Sequence, residues 1–168
     1  MENQTDPVTT ESYVADGAAP TPWEEARWRL AQAGTYWVAT VRPESRPHLV
    51  PVLAVWANGA LHFAASETTR KARNLASNAQ CVVSTSHDRL DVVVEGEAEP
   101  VRDDAALRRV AEVYGSKYEW SVTVSDGAIV GDGAPTAGPP PYGVYRVRPA
   151  IAFAFPHDET FAATRWRF

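Results

Sequence analysis

The sequence predicts a mainly β protein with flanking helices, in which the strands close into a barrel. Short segments rich in β-branched and aromatic residues follow one another and are joined by turn-forming residues, which is typical of closed β-barrels. The predicted helices interrupt this series and do not alternate with the strands, so a doubly wound parallel sheet is not expected. The sequence also lacks the GxGxxG pattern of a dinucleotide-binding fold.

The N-terminal part of the chain divides into a tail and a helix. Residues 1–20 are polar, acidic and small, and we expect them to form a disordered tail before a single domain at 21–168. Thr21, Pro22 and Glu24 match a capping box with proline at the first helical position. Apolar residues then recur at helical spacing, at Trp23, Ala26, Leu30 and Ala33.

The middle of the chain predicts a three-stranded meander followed by further strands and helices. The meander comprises residues 35–41, 48–57 and 60–66, with Asn58-Gly59 as the hairpin turn between the last two. The remaining elements are a helix at 68–78, strands at 80–86, 91–102 and 145–155, and a helix capped by Asp103. Gly96 indicates a β-bulge. Residues 121–143 are rich in Gly and Pro, which is typical either of a functional loop or of a disordered insertion.

Composition excludes several classes of function. The formal net charge of −5 disfavours a nucleic-acid-binding module. Cys81 is the single cysteine, so no intrachain disulfide is possible, and the four histidines have no metal-ligand spacing. The sequence contains neither a membrane-spanning stretch nor a signal peptide, and we expect a cytoplasmic protein.

The segment from Ser66 to Leu75 is the strongest candidate for a binding site. It follows a predicted strand and opens a predicted helix, where free backbone N–H groups favour an anion. Thr69 offers a hydroxyl, and Arg70 and Lys71 add positive charge. These features predict a phosphate site, and a solvated basic helix face explains the same residues equally well.

This pattern resembles a known family. The segment ATVRPESRPHLVPV, the following hairpin and TRKARNL are similar to the split-barrel flavin and deazaflavin oxidoreductases, which are related to pyridoxamine 5'-phosphate oxidase. The shared pattern is a lysine, two further residues and then Asn-Leu, just after the third strand. The resemblance covers about residues 35–102, and the closing TRWRF is similar to the tail of actinobacterial members. It implies a split β-barrel of the FMN-binding-protein type.

The resemblance also implies roles for individual residues. Lys71 and Asn74 match the cofactor-binding positions, Thr69 and Arg70 lie beside them, and Ser66 lies at the mouth of the phosphate site. Some members carry an arginine where this chain has Thr69, and Arg70 is placed to compensate. The strand whose backbone runs along the ring system is matched by His48, Leu49, Val50, Pro51 and Val52.

The C-terminal residues Arg165, Trp166 and Arg167 are further candidates for cofactor binding. In an extended tail, the two arginines point to one side and the tryptophan to the other. Trp166 would then pack near the ring while the arginines meet the cofactor or a partner. The alternative is a tail packed on its own barrel, and we favour a role at an interface.

Taken with the residues, the resemblance implies an oxidoreductase that transfers a hydride between coenzyme F-420 and a small organic substrate. It also implies that the protein is a homodimer. F-420 is favoured over FMN because its tail carries carboxylates that extra cations would bind, and the candidates are Arg70, Arg73, Arg165 and Arg167. An FMN-dependent oxidase or reductase and a non-catalytic flavin- or haem-binding module are the alternatives. The sequence singles out no catalytic residue, which agrees with hydride chemistry carried by the cofactor.

Overall fold

Antiparallel strands make up most of the structure, a computed structural model that describes residues 6–13, 17–132 and 138–168. The strands are β1 (Thr9–Ser12), β2 (Tyr36–Val41), β3 (Pro47–Val52), β4 (Ala54–Ala57), β5 (Ala60–Ser66), β6 (Gln80–His87), β7 (Leu90–Val101), β8 (Thr123–Ser125), β9 (Ala128–Val130), β10 (Tyr142–Pro156) and β11 (Thr164–Arg167). The helices are α1 (Trp23–Gln32), α2 (Arg70–Ser77) and α3 (Asp104–Tyr118). The mainly β architecture with flanking helices is thereby confirmed. Within the described residues, no helix is both long and apolar enough to cross a membrane.

The strands form one continuous antiparallel sheet in which β10 is the central element. The main order is β1-β11-β10-β7-β6-β2-β3. The first half of β10 also pairs with β5, which in turn pairs with β4, and the β8–β9 hairpin joins at Tyr142. Within the described residues, β3 pairs with β2 alone, so one edge of β3 is open.

Two apolar clusters hold the fold together. The larger one lies between α1 and the sheet and includes Leu30, Tyr36, Phe63 and Trp166. The smaller one lies under α3 and includes Leu107, Val110, Tyr114, Trp120 and Tyr142. Alternating inward positions on the strands supply both clusters, as expected for a sheet with a period of two.

The capping box expected at the start of α1 is wrong. Pro22 is the N-cap residue and provides no side-chain cap. The hydroxyl of Thr21 donates instead to the carbonyl oxygen of Ala162, and the Thr21 amide donates to Thr164 Oγ1 at 2.8 Å. A tertiary contact with the segment before β11 has therefore replaced the local cap.

Part of the expected N-terminal tail forms a strand. Residues 9–12 are β1, which pairs with β11 through all four residues. The edge of β11 supplies backbone partners, and the carboxylate of Glu11 forms ion pairs with Arg165 and Arg167. Residues 1–5 and 14–16 of the expected tail lie outside the described residues.

Three further expectations about the strands need revision. The segment 48–57 divides at Leu53 into β3 and β4, which belong to separate hairpins, so the three-stranded meander is wrong. The Gly/Pro-rich segment 121–143 contains the β8–β9 hairpin, in which Asp126 and Gly127 both have positive φ, and residues 133–137 lie outside the described ones. The bulge expected at Gly96 is present, but the extra residue belongs to β10, opposite Gly96.

A lysine near the end of α3 fastens this helix to the barrel. Lys117 Nζ donates to the carbonyl oxygens of Ala31 and Ala54, at 2.9 and 3.1 Å, and to the hydroxyl of Tyr36 at 2.7 Å. The same ammonium lies over the rings of Tyr36 and Tyr118. Burial lowers the pKa of Lys117 to about 8, so the charged form still dominates at neutral pH.

Replacing Lys117 by methionine is expected to lower the free energy of unfolding by about 2–3 kcal/mol, because the apolar side chain leaves buried acceptors without their charged donor. Urea unfolding at pH 7 measures the effect. Arg108→Met on the same helix is the control, since Arg108 is exposed and its contact with Asp104 is 3.7 Å long. Equal midpoints for the two variants would contradict the role given to Lys117.

Candidate functional site

The turn between β5 and α2 is built by short polar side chains. Thr69 is the N-cap residue of α2, and its hydroxyl accepts a hydrogen bond from the amide of Ala72 and donates one to the carbonyl oxygen of Ser66. Ser66 Oγ and Thr68 Oγ1 lie 3.1 Å apart. This turn fixes the start of α2, where the first N–H groups of a helix favour an anion.

Helix α2 is anchored to β2 by a buried polar contact. Asn74 Nδ2 donates to Thr40 Oγ1 at 2.9 Å, and both residues are almost completely buried. Lys71, one turn earlier, is 3% exposed, and its burial lowers the pKa of its ammonium group. A charged side chain and an amide are thus held inside the protein at the point where α2 meets the β2–β3 hairpin.

The β2–β3 hairpin contributes two more basic residues to the same place. His48 lies directly opposite Thr40 in the antiparallel register. Arg42 follows Thr40 by two positions, and its amide donates to the carbonyl oxygen of Arg46 to close the turn. Because side chains of a strand alternate, Thr40 and Arg42 share one face, and His48 shares it as the cross-strand neighbour.

Arg42, His48, Arg70 and Lys71 form a basic cluster whose members act on one another. The pKa of His48 is lowered first by burial and then by the positive charges of Arg42, Lys71 and Arg70. His48 is therefore neutral at pH 7, while the other groups keep a concentration of positive charge around it. Such an arrangement attracts an anion.

Polar atoms without protein partners are concentrated at this site. Within the described residues, five buried side-chain nitrogen or oxygen atoms have no hydrogen-bond partner, and three of them are Arg42 Nε, His48 Nδ1 and Asn74 Oδ1. Buried polar groups are normally hydrogen-bonded, so such a concentration is typical of a binding site. The N–H group at Arg42 Nε requires an acceptor such as a phosphate oxygen, and the Asn74 carbonyl oxygen requires a donor such as a hydroxyl group.

The residues expected from β3 separate into two sets. His48, Val50 and Val52 point to the side of the sheet that carries the core, where Val52 is buried and Val50 packs against the larger apolar cluster. Leu49 and Pro51 point to the opposite side, and Leu49 is 58% exposed. The open edge of β3 leaves backbone groups available beside the basic cluster, as a planar ring would require.

The C-terminal candidates lie elsewhere in the chain. Trp166 is fully buried and packs edge-on against Trp23, with 5.3 Å between ring centroids. Arg165 and Arg167 form ion pairs with Glu11 of β1. Since β10, β7, β6 and β2 lie between β11 and β3 in the sheet, no described contact joins these residues to the α2 site within one chain.

Other polar and aromatic side chains have partners within the protein. Glu97 pairs with Arg148 and accepts a hydrogen bond from Gln80. Trp120 and Tyr142 pack edge-on against each other in the smaller apolar cluster. Their contacts account for them without a ligand.

Sequence reasoning missed three residues at the site, namely Thr40, Arg42 and Gly138. Gly138 has a φ of +84°, and a Cβ there would lie 2.9 Å from Thr69 Cγ2 and 3.1 Å from Ser66 Cβ. One end of the Gly/Pro-rich segment therefore packs on the turn before α2. The alternation of residues before the turn at 43–46 could have indicated Thr40 and Arg42, but the contact of Thr40 with Asn74 depends on tertiary packing.

Comparison with solved structures identifies the fold. A conserved hypothetical protein from Mycobacterium tuberculosis is 19% identical, with a TM-score of 0.63 over 87% of this chain and 90% of that one. An F-420 reductase is 20% identical, with a TM-score of 0.54 over 83% and 98% of the two chains. A haem storage protein from Vibrio cholerae is 20% identical, with a TM-score of 0.56 over 75% and 88%. At these identities the similarity shows a shared fold, and it confirms the split β-barrel.

Comparison of sequences identifies the family. Among curated proteins, no significant sequence match is found. The sequence profile described as pyridoxamine 5'-phosphate oxidase matches residues 22–154, which include α1, the β2–β3 hairpin, α2 and most of β10. The chain therefore belongs to the pyridoxamine 5'-phosphate oxidase family of split β-barrels, a fold that also includes an F-420 reductase and a haem storage protein.

Proposed function

We propose that this protein is an oxidoreductase that transfers a hydride between bound coenzyme F-420 and a small organic molecule. The observation that carries the proposal is the group of unpartnered buried atoms, Arg42 Nε, His48 Nδ1 and Asn74 Oδ1, beside Lys71. These atoms fit a phosphate attached to a polyhydroxylated chain. The open edge of β3 next to them fits the ring system to which such a chain is attached.

Each part of the site has a separate role in this proposal. Lys71 and Arg70 bind the phosphate, and the turn from Ser66 to Thr69 orients α2 toward it. The carbonyl oxygen of Asn74 accepts a hydrogen bond from a ribityl hydroxyl group. Backbone groups of β3 hold the ring, and the barrel excludes water from one of its faces. When bound, the deazaflavin ring supplies or accepts the hydride, so the protein needs no nucleophile of its own.

Charge favours F-420 over FMN. Both cofactors have a ring, a ribityl chain and a phosphate, whereas F-420 continues into a tail with several carboxylates. Arg70 and Arg73 are exposed on α2, and Arg42 on the hairpin acts with Arg70 on the pKa of His48, so cations from two elements are available to an anionic tail. Arg165 and Arg167 remain candidates for the tail only as a contribution from a second copy of the chain, because they lie away from α2 in their own.

A second copy of the chain also fits the face of the sheet that points away from the core, here called the outward face. Apolar side chains on several strands share this face with a few polar ones such as Ser84 and Glu95. The apolar residues are Trp37, Leu49, Pro51, Val82, Val93, Ile151, Phe153 and Phe155. Trp37 and Leu49 are 44% and 58% exposed in the single chain, and Phe153 stacks between Tyr13 and Phe155. Exposed apolar patches of this extent mark interfaces. We propose a homodimer that covers this face and brings the two cofactor sites next to it.

Titration of the apoprotein with F-420 and with FMN tests the choice of cofactor. We expect tight binding of F-420, and oxidation of the reduced cofactor that becomes faster when a substrate is added. Submicromolar binding of FMN with no detectable binding of F-420 would instead assign an FMN-dependent oxidase or reductase. A Soret band after addition of haem, with neither flavin bound, would assign a haem-binding protein.

Binding of F-420 is expected to become tighter as the pH falls from 7.5 to 5.5. In the free protein the pKa of His48 is lowered by burial and by neighbouring cations, so the ring is neutral at pH 7. A bound phosphate reverses this effect and raises the pKa, so binding takes up a proton and is strengthened at lower pH. A rise of about one pKa unit corresponds to at most about tenfold in affinity.

Calorimetry in two buffers of different ionisation enthalpy counts the protons taken up on binding. The phosphodiester of F-420 does not titrate in this range but its ring hydroxyl does, so the difference between variant and wild type reports on the protein. His48→Gln should lower the uptake relative to the wild type, whereas His87→Gln, at a residue in contact with Trp28, should leave it unchanged. Equal uptake by His48→Gln and the wild type would remove His48 from the phosphate site.

A further inference from the structure

Gly138 lies against the turn that leads from β5 into α2. Its φ of +84° falls in the left-handed region, which glycine adopts without steric cost. A Cβ at this position would lie 2.9 Å from Thr69 Cγ2 and 3.1 Å from Ser66 Cβ. Both distances are below the optimal separation of about 3.5–4.0 Å between carbon atoms. The contact therefore depends on the backbone freedom of glycine and on its lack of a side chain.

The Thr69 methyl group cannot turn away from Gly138 without loss of the helix cap. Thr69 Oγ1 donates to the carbonyl oxygen of Ser66 at 2.7 Å and accepts from the Ala72 amide at 3.4 Å. These two bonds fix the orientation of the β-branched side chain, and the methyl group is fixed with it. Ser66 is held as well, because it ends β5 opposite Tyr142 in the antiparallel register.

The chain that follows Gly138 is anchored four residues later. Tyr142 begins β10, pairs with Ser66 of β5 and with Ile129 of β9, and is 1% exposed. Its ring packs edge-on against Trp120, with 5.3 Å between ring centroids. Residues 138–141 thus run directly from the turn to this anchor and have little freedom to move away. A side chain at Gly138 would consequently displace the turn before α2.

Resting on the proposed function, we propose that Gly138 is a positioning residue for the cofactor phosphate: its contact with Ser66 and Thr69 holds the β5–α2 turn where the first N–H groups of α2 and Lys71 meet the phosphate. Gly138 touches no cofactor atom and acts through the turn alone. Hydrogen bonds from N–H groups to an anion depend on distance and direction, so a small displacement of the turn weakens them.

Dissociation constants for F-420 and for its phosphate-free deazaflavin precursor, measured by fluorescence on the full chain, test the proposal. Gly138→Ala should weaken binding of F-420 about tenfold and change binding of the precursor less than about twofold. A general loss of structure would instead weaken both ligands. Gly138→Asn should show the same pattern. Asparagine tolerates positive φ better than alanine, so this variant covers the case in which the alanine variant does not fold.

Two further substitutions isolate the contact from backbone strain. Gly127→Ala is the matched control, because Gly127 also has a positive φ, of +72°, and a Cβ there would meet no atom of the described residues within 4 Å apart from its chain neighbours. This variant should bind F-420 as the wild type does. Thr69→Ser keeps the capping hydroxyl and removes the methyl group nearest to the added Cβ. In the Thr69→Ser background, Gly138→Ala should therefore cost less than about threefold.

The outcomes separate this inference from the proposed function. Unchanged binding of F-420 in both Gly138 variants, or a tenfold cost of Gly138→Ala that persists in the Thr69→Ser background, would overturn the role of Gly138 and leave the proposed function standing. Equal losses for F-420 and the precursor would also overturn it. A wild type that binds FMN and not F-420 would overturn the proposed function, and FMN compared with riboflavin would then decide the role of Gly138 by the same measure. A wild type that binds neither cofactor would overturn both.

Discussion

Replacing Lys71 by methionine is expected to weaken cofactor binding about ten- to hundredfold while the apoprotein stays folded. A charge-assisted hydrogen bond to phosphate contributes about 1.5–3 kcal/mol, which corresponds to this range of affinity. Lys71 is 3% exposed, and burial lowers the pKa of its ammonium. Methionine fills a similar volume and is apolar, so we expect the apoprotein of this variant to remain folded.

Isothermal titration with F-420 and FMN measures the change for Lys71→Met. Arg73→Met is the matched control, since Arg73 is an exposed cation two residues further along the same helix. We expect its affinity to change less than about threefold, as is usual for an exposed charge. Unchanged affinity in Lys71→Met, or an apoprotein that no longer folds, would show that Lys71 has a structural role and does not bind phosphate.

Replacing Trp37 by glutamate is expected to convert a dimer into a monomer. Light scattering of the wild type at micromolar concentration should give twice the chain mass of 18.4 kDa. Trp37 lies on the apolar outward face, where burial of a charge against a second copy is strongly unfavourable. We expect the dissociation constant of the dimer to rise at least about a hundredfold.

The control for the dimer is a second exposed tryptophan. Trp28 is 49% exposed but lies on α1, where it contacts His87 and Arg29, away from the proposed interface. Trp28→Glu should therefore remain dimeric. A monomeric wild type, or equal dissociation of the two variants, would contradict the proposed interface.

Local sequence patterns were sufficient for most of the secondary structure. The alternation of apolar and polar residues in 91–102 predicted β7 with a difference of one residue at each end, because one face of that strand is buried along its whole length. Thr69 and Asp103 each cap a helix as local hydrogen-bonding chemistry predicts. The Asp-Gly pair at 126–127 was an equally clear turn signal, which the surrounding glycines and prolines obscured.

Elements that depend on distant partners could not be predicted from local patterns. Residues 9–12 are polar and have no apolar alternation, and they form β1 because β11 offers an edge and two arginines for Glu11. Trp166 was expected at an interface, but pairing of β11 with β10 turns it toward Trp23 in the core. In both cases the sheet order, which the sequence does not state, decided the outcome.

The candidate site was likewise predictable from local sequence only in part. The cluster from Ser66 to Asn74 is contiguous in sequence, so a helix start with basic residues indicated it directly. Arg42 and Thr40 join it only through the register of β2 with β3 and the bond from Asn74 to Thr40. A single sequence does not determine that register, and so these two residues were missed.

The most direct test of the account compares F-420 with its phosphate-free deazaflavin precursor on the wild type and on Lys71→Met. If α2 binds the cofactor through its phosphate, removal of Lys71 should cost F-420 about ten- to hundredfold in affinity and should leave the affinity of the precursor unchanged. An equal loss for both ligands would contradict the account, because Lys71 would then act on the ring or on the fold and the basic cluster would not be the phosphate site.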